Sequence, residues 1–130
     1  MQILAGRKLH RGGTMEKEIK VIKVGENPAV PVPDHVGCTA QEIAGDLLGI
    51  KSCVVKFGVY EPEGTADEHL HPESEHVFYI LSGALTIFAE GKAYTAKAGE
   101  GMYVPPAIPH SAVNGAKGFT TYIAVTLPPG

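Results

Sequence analysis

Four of the six histidines fall in two short blocks whose spacing could support metal chemistry. One residue separates His69 from His71, His76 follows five residues after His71, and His110 comes 34 residues after His76. Residues two apart on a strand point to the same face, so the imidazoles of His69 and His71 can converge on one point. The run PPAIP directly before His110 would stiffen the chain and fix the direction of that side chain.

A single histidine would be better interpreted as an ordinary surface or core residue, because histidine is intermediate in burial and satisfied by common hydrogen bonds. The joint pattern favours a set of imidazole ligands. Imidazole suits transition metals, whereas Mg or Ca prefers oxygen ligands. We therefore expect His69, His71, His76 and His110 to bind one divalent transition metal per chain, which would be Fe, Mn, Ni, Co, Cu or Zn.

The elements that must position these histidines are strands. The 130 residues suit one domain, and 44% hydrophobic residues exclude a disordered tail. The 16 Gly and 10 Pro interrupt short runs rich in Val, Ile, Tyr, Phe and Thr, which is typical of an all-β fold. Strands are expected near 51–60, 69–71, 76–81, 84–90, 92–96, 101–104, 110–114 and 119–127, in a sandwich or barrel.

The N-terminal part of the chain predicts less regular structure. Residues 1–15 are expected to form a flexible extension, with Met15 left open as an alternative start, and residues 16–130 the barrel domain. The segment EKEIKVIKV from Glu16 alternates charged and β-branched residues, which predicts an edge strand. Thr39 followed by Glu42 fits a capping box and predicts a helical turn over 40–44.

Charge and hydropathy exclude several classes of function. A net charge of -3 gives no reason to expect nucleic-acid binding, and no apolar run approaches the ~20 residues of a membrane span. Cys38 and Cys53 form neither a CxxC pair nor a disulfide framework, so both are interpreted as structural thiols. A cytoplasmic protein without nucleic-acid or membrane partners is the expectation.

Two segments resemble the motifs of the cupin family. Residues 64–83, GTADEHLHPESEHVFYILSG, are similar to the first motif, and residues 99–114, GEGMYVPPAIPHSAVN, to the second. Ala107 replaces a usual glycine in the second motif, and four residues rather than five separate Gly64 from His69. The resemblance implies a single-domain, cupin-type antiparallel β-barrel, the double-stranded jelly roll, with a metal inside.

The family pattern also has a glutamate ligand, and this chain departs from it. Counting forward from His71 allows Glu75 or His76, whereas counting back from Gly83 along the strand gives His76. We take His76 as the ligand, and a slip of one residue in register would make it Glu75 instead. Three histidines and a glutamate leave a divalent ion at +1, whereas four neutral imidazoles leave it at +2 and favour an anionic partner.

Residues for proton transfer are not assigned, so the catalytic residues stay unknown. A run of carboxylates would disfavour an anionic partner if it rims the mouth of the barrel. The candidates for proton transfer are Tyr60, Tyr79, Tyr103, Tyr122 and Glu75, and the carboxylates of the run are Glu61, Glu63, Asp67, Glu68, Glu73 and Glu75.

Two functions remain open from the sequence. The first is a mononuclear-metal enzyme that acts on a small organic molecule by dioxygenase, isomerase or lyase chemistry, and the second is a non-catalytic module that binds or senses a small ligand. Either would take a small-molecule partner. A homodimer is also expected, because the predicted edge strand from Glu16 would pair with a second copy.

Overall fold

Short apolar runs between glycine and proline turns form an antiparallel barrel. The computed structural model describes residues 17–130, and the described part contains nine strands and two short 3-10 helices, at Val24–Glu26 and Asp46–Leu48. The strands are β1 (Val30–Pro31), β2 (His35–Ala44), β3 (Val54–His69), β4 (Glu75–Ser82), β5 (Ala84–Ala89), β6 (Lys92–Lys97), β7 (Gly101–Val104), β8 (His110–Asn114) and β9 (Thr120–Leu127).

Neighbouring strands pair in the order β6-β5-β8-β3-β9-β4-β7. Outside this order, β2 pairs with β3, and β1 pairs with β2. Each pairing between neighbours is antiparallel. The predicted all-β fold, an antiparallel barrel of jelly-roll type, is confirmed. Most predicted strands fall within one or two residues of the observed bounds, and β7 and β8 match 101–104 and 110–114.

Alternate residues of the central strands face the inside of the barrel. On β4 the inward positions are His76, Phe78 and Ile80, and Ile80 is fully buried. On β9 the inward series runs through Thr120 and Tyr122. The period of two places every second side chain in the interior, so the strand pattern itself aims His76 into the barrel.

The interior is too narrow for a side chain at Gly58 of β3. A Cβ atom built there would collide with the phenol ring of Tyr122, its partner in register on β9. The absence of a side chain at Gly58 leaves room for the phenol ring, which packs against Tyr60 and Phe78.

The predicted helical turn over 40–44 is wrong. Residues 35–44 form strand β2, because Cys38 and Ala40 alternate into the core and the strand pairs along β3. Thr39 pairs with Val59 instead of capping a helix. The carboxylate of Glu42 does accept a helix-type hydrogen bond, from the N–H of Leu47 at 2.9 Å, so it serves the 3-10 helix that follows.

The predicted edge strand of EKEIKVIKV is also wrong. Glu16 lies outside the described residues, and residues 17–23 have no strand partner within the described chain. Ile19 is 96% exposed and Val21 88% exposed, so the alternation has no sheet to dock on in one copy of the chain. The predicted extension of 1–15 lies outside the described residues.

No helix in residues 17–130 has the length and apolar character needed to cross a membrane.

Candidate metal centre

Three strands and one turn bring the four predicted ligands together. His69 is the last residue of β3 and His110 the first of β8, and the two are partners in register. Their ring centroids lie 4.5 Å apart. His76 projects from β4 into the same space, with its ring centroid 4.3 Å from that of His71. The structure therefore brings all four predicted side chains into one cluster.

The expectation that His69 and His71 share one strand needs correction. Strand β3 ends at His69, and His71 lies in the turn that follows. The turn is fixed from the other motif, because the N–H of Ala107 donates a 2.8 Å hydrogen bond to the carbonyl of His71. His71 reaches the cluster through this loop contact rather than through the alternation of a strand.

Three of the histidines lie at metal-binding distances from one another. One ring nitrogen from each of His69, His71 and His110 lies within 4.8 Å of the other two. With metal–nitrogen bonds of about 2.1 Å, two opposite ligands lie about 4.2 Å apart, so this spacing fits one ion after a small adjustment.

His76 supplies a buried nitrogen that has no partner. Its side chain is 8% exposed, and Nδ1 lies 3.0 Å from the hydroxyl oxygen of Thr126. Nε2 is buried without a hydrogen bond to any described residue. A buried polar atom without a partner costs about 1–3 kcal/mol, so such an atom beside three other imidazoles fits a metal ligand.

Backbone carbonyls select the tautomer of two ligands. Nδ1 of His69 lies 2.6 Å from the carbonyl of Asp67, and Nδ1 of His110 lies 2.8 Å from that of Ile108. A carbonyl oxygen only accepts, so each Nδ1 must carry the hydrogen, which leaves Nε2 of the neutral ring with its lone pair. In metal sites, a hydrogen bond of this kind from the nitrogen that does not bind the metal orients the histidine ligand.

Burial favours the neutral form of His71, His76 and His110. Burial, together with smaller effects of the neighbouring charges of His71, His110 and His69, lowers the pKa of His76 to about 4. Burial is also the main reason that the pKa of His71 and of His110 is lowered. Histidine must be deprotonated to bind a metal, so the lowered pKa values of these three rings favour metal binding.

Glu75 points away from the cluster. Its carboxylate accepts a 2.7 Å hydrogen bond from the hydroxyl of Tyr103, and it does not line the cavity that the histidines share. Neighbouring residues on a strand face opposite sides of the sheet, which is why His76 and Glu75 diverge.

The histidines open into a cavity of about 380 Å³ inside the barrel. This volume falls in the usual range for small-molecule sites. The wall combines the aromatic rings of Phe78 and Tyr122 with aliphatic residues. Lys56 and Asp34 carry its charged side chains other than histidines among the described residues. The six carboxylates of the run 61–75 do not line it.

His35 is a cavity residue that the sequence reasoning missed. It lies on β2, with its ring centroid 5.8 Å from that of His69 and 6.0 Å from that of Tyr60. Its Nδ1 lies 2.7 Å from the carbonyl of Pro33. No spacing to another histidine marks it in the sequence. His35 comes close to His69 and Tyr60 because it pairs with Ala66 where β2 runs along β3.

The tyrosines proposed for proton transfer divide into two groups. Tyr79 is 47% exposed and Tyr103 56% exposed, on the outside of β4 and β7. Tyr60 and Tyr122 are buried, and burial raises the pKa of both phenols. The hydroxyl of Tyr122 lies 3.4 Å from the thiol of Cys38, whose pKa burial also raises.

Comparison with known proteins gives the family. The model of the cupin domain matches residues 56–126, which is more than half of the chain. A comparison with curated proteins gave no match.

Solved structures share the fold at low identity. The polyketide cyclase RemF from Streptomyces resistomycificus is 22% identical, with a TM-score of 0.76 over 86% of this chain and 81% of that chain. KdgF from Halomonas sp. is 16% identical, with a TM-score of 0.72 over 87% and 96% of the two chains. A predicted oxalate decarboxylase from Thermotoga maritima is 18% identical, with a TM-score of 0.73 over 85% and 100%.

The matched region begins on β3 and ends on β9, so it contains all four clustered histidines and the strands that carry three of them. The resemblance of the two motifs is thereby confirmed, because both lie within the matched region. The chain belongs to the cupin family.

Proposed function

We propose that this chain is a mononuclear metal enzyme that acts on a small organic molecule in the barrel cavity. His69, His71, His76 and His110 would hold one divalent transition metal, which would be Fe, Mn, Ni, Co, Cu or Zn. A metal bound there supplies Lewis-acid or redox chemistry, which covers dioxygenase, isomerase and lyase reactions.

One observation carries the proposal. Nε2 of His76 is buried and has no hydrogen-bond partner among the described residues. The ring of His76 lies 4.3 Å from that of His71 and 6.4 Å from that of His110, centroid to centroid, and these two form with His69 the group whose nitrogens are within 4.8 Å of one another. A fold that needed only packing at this position would favour an apolar side chain, because the unpaired nitrogen is costly. A fourth imidazole ligand accounts for it.

The cavity supports catalysis on a bound organic molecule. It joins the metal cluster to the rings of Phe78 and Tyr122, so an organic substrate can lie between apolar walls with a reacting atom at the metal. Among proteins of similar fold are a polyketide cyclase and a predicted oxalate decarboxylase, which supports an enzymatic role for this cavity.

The metal site is tested by elemental analysis of His110→Ala. We expect about one metal ion per chain in the wild type and a loss of most of it in the variant, because one of the converging ligands is removed. His35→Ala is the matched control, since His35 lines the same cavity but is not a proposed ligand. Equal metal content in the wild type and His110→Ala would contradict the proposed site.

The catalytic role needs a separate assay. Protein loaded with iron or with manganese is supplied with diketones, catechols and flavonols, while oxygen consumption and absorbance are recorded. Turnover that depends on the metal supports the enzyme. Tight binding of these compounds without turnover on any metal would favour the alternative, a non-catalytic binding or sensing module.

We also propose a homodimer. Ile19 and Val21 of the N-terminal segment are almost fully exposed, and burial of such side chains against a second copy would be favourable. Light scattering should give twice the chain mass, and Ile19→Lys should shift the mass towards the monomer. A monomeric wild type would contradict this.

Location in the cytoplasm stays a prediction, and cell fractionation tests it.

A further inference from the structure

We propose that the cavity selects a small planar carboxylate, whose negative group binds the ammonium of Lys56 while its unsaturated body packs on Phe78 and Tyr122. The inference rests on the proposed metal-dependent function and names the class of substrate for the same site. It uses a residue that is outside both histidine blocks.

The alternation of β3 points Lys56 into the barrel. Gly58 and Tyr60 are buried inward positions on this strand, and Lys56 lies two residues before Gly58, on the same face. Val54 and Lys56 both line the cavity, which agrees with this direction. The side chain is exposed, as expected at the mouth rather than the floor of the barrel.

Strand register places Lys56 close to the proposed metal ligands. Lys56 pairs with Ala124 of β9, and Ala124 pairs with Phe78 of β4, two residues after His76. Strands lie about 4.8 Å apart, so the backbones of Lys56 and Phe78 are separated by about 10 Å. A flexible lysine side chain can reach into this gap, and a small molecule can span it to the histidines.

The ammonium of Lys56 is not engaged by a carboxylate of the described residues. Glu42 of β2 is its partner in register, and Glu42 and Asp46 border an outer cleft that Lys56 also lines. The carboxylate of Glu42 accepts a hydrogen bond from the N–H of Leu47, and neither carboxylate lies within ion-pair distance of Lys56. The ion pair between Lys51 and Asp46 is the one found within residues 17–130. An unpaired cation at the mouth of a concave site is the usual means of attracting an anion.

The charges of the cavity wall favour the same class of ligand. The acidic run of 61–75 does not line the cavity, so it does not oppose an anion there. Asp34 is the carboxylate that the wall does contain, and it lies eight residues before Glu42 along the chain. Asp34 directly precedes the first residue of β2, whereas Lys56 pairs with Glu42 near the other end of that strand, so the two charges lie at opposite ends of β2.

The apolar wall determines the shape of the ligand. The ring of Phe78 is stacked near that of His76, with centroids 6.0 Å apart and an angle of 21° between the planes. Tyr122 meets Phe78 edge to face at 5.7 Å. Between these rings and Ala124, a planar unsaturated body gains more contact than a branched one, since flat faces pack on flat faces.

Isothermal titration calorimetry with benzoate and benzamide tests the inference. The two probes share shape and ring, and only benzoate carries the charge. In apo and zinc-loaded wild type we expect benzoate to bind more tightly than benzamide. Lys56→Met should weaken benzoate binding at least tenfold and benzamide binding less than twofold, and Lys56→Arg should restore most of the affinity. Lys56→Gln serves as a second neutral variant.

Lys92→Met is the matched control, because Lys92 is an exposed lysine at the start of β6 and loses the same net charge. Equal benzoate affinity in the wild type and both neutral variants at position 56 overturns the inference, as does an equal loss in Lys92→Met. Zinc content is measured in the same samples. A wild type without zinc contradicts the proposed metal site, whichever way the benzoate titrations turn out.

Discussion

The imidazole of His76 and the hydroxyl of Thr126 form a cross-strand pair inside the barrel. The residues are partners in register on β4 and β9, and Nδ1 of the imidazole lies 3.0 Å from the hydroxyl oxygen. When Nδ1–H donates to this oxygen, the other ring nitrogen, Nε2, which is buried and has no partner among the described residues, is left with its lone pair. Thr126 is therefore a positioning residue of the proposed site.

Thr126→Val tests this relationship. Valine keeps the shape and removes the hydroxyl, so His76 loses the contact that fixes its ring. We expect metal affinity to fall by about 10- to 100-fold, as for other second-layer contacts of histidine ligands. Competition with a metal chelator measures the affinity.

Thr121→Val is the control for Thr126→Val, because Thr121 is on the same strand and its hydroxyl contacts Ser82 away from the cavity. Its metal affinity should match the wild type. An affinity of Thr126→Val that equals the affinity of Thr121→Val would exclude a role for the hydroxyl in orienting His76.

The choice between His76 and Glu75 is open to a direct experiment. His76→Ala should lose metal, because it removes the buried nitrogen of the cluster. Glu75→Gln should retain it, because the carboxylate of Glu75 accepts a hydrogen bond from Tyr103 outside the cavity. Metal content and affinity of both variants are measured at one pH. Metal loss in Glu75→Gln with retention in His76→Ala would make Glu75 the ligand.

The stability of the metal-free protein should depend on pH through His76. Its pKa is lowered to about 4 in the folded chain from an ordinary value of 6.5, chiefly by burial. Between these values the unfolded chain binds a proton that the folded chain does not. The free energy of unfolding is therefore highest above pH 6.5 and falls as the pH is lowered towards 4, by roughly 1–3 kcal/mol.

Urea unfolding of chelator-treated protein across this pH range measures the effect. In His76→Gln the decrease between pH 6.5 and 4 should be smaller, because the buried group no longer titrates. The same decrease in the variant and the wild type would assign the pH dependence to other groups, such as His71 and His110, whose pKa values burial also lowers.

Local patterns were sufficient for the strands that carry most of the histidines. Alternation and the turn at Gly83 predicted β4, and the proline run predicted where β8 begins. The same reasoning failed at β2, where Thr39 and Glu42 matched a capping box by chance of spacing. Pairing with β3 over eight registered positions outweighed that weak helical preference.

Contacts that depend on distant parts of the chain could not be predicted. His35 joins the cavity because β2 pairs with β3, and Lys56 does so because of its inward register opposite Ala124. Neither residue has a neighbour in sequence that marks it. The segment after Glu16 had the alternation of a strand, but alternation alone does not supply a partner strand, and none lies beside it in the described chain.

Ala107 connects the two motifs under backbone strain that glycine would relieve. Its φ of 62° is in the left-handed region, and its N–H donates to the carbonyl of His71. A left-handed alanine costs about 1–2 kcal/mol, and the greater freedom of glycine in the unfolded chain offsets roughly 0.5–1 kcal/mol of any gain. Ala107→Gly should therefore raise the free energy of unfolding by about 0.5–1 kcal/mol, as measured in urea. Ala98→Gly is the control, because Ala98 is exposed beside a turn without a positive φ, and the same exchange there should lower stability. If both variants lose stability equally, the left-handed conformation of Ala107 is not a source of strain.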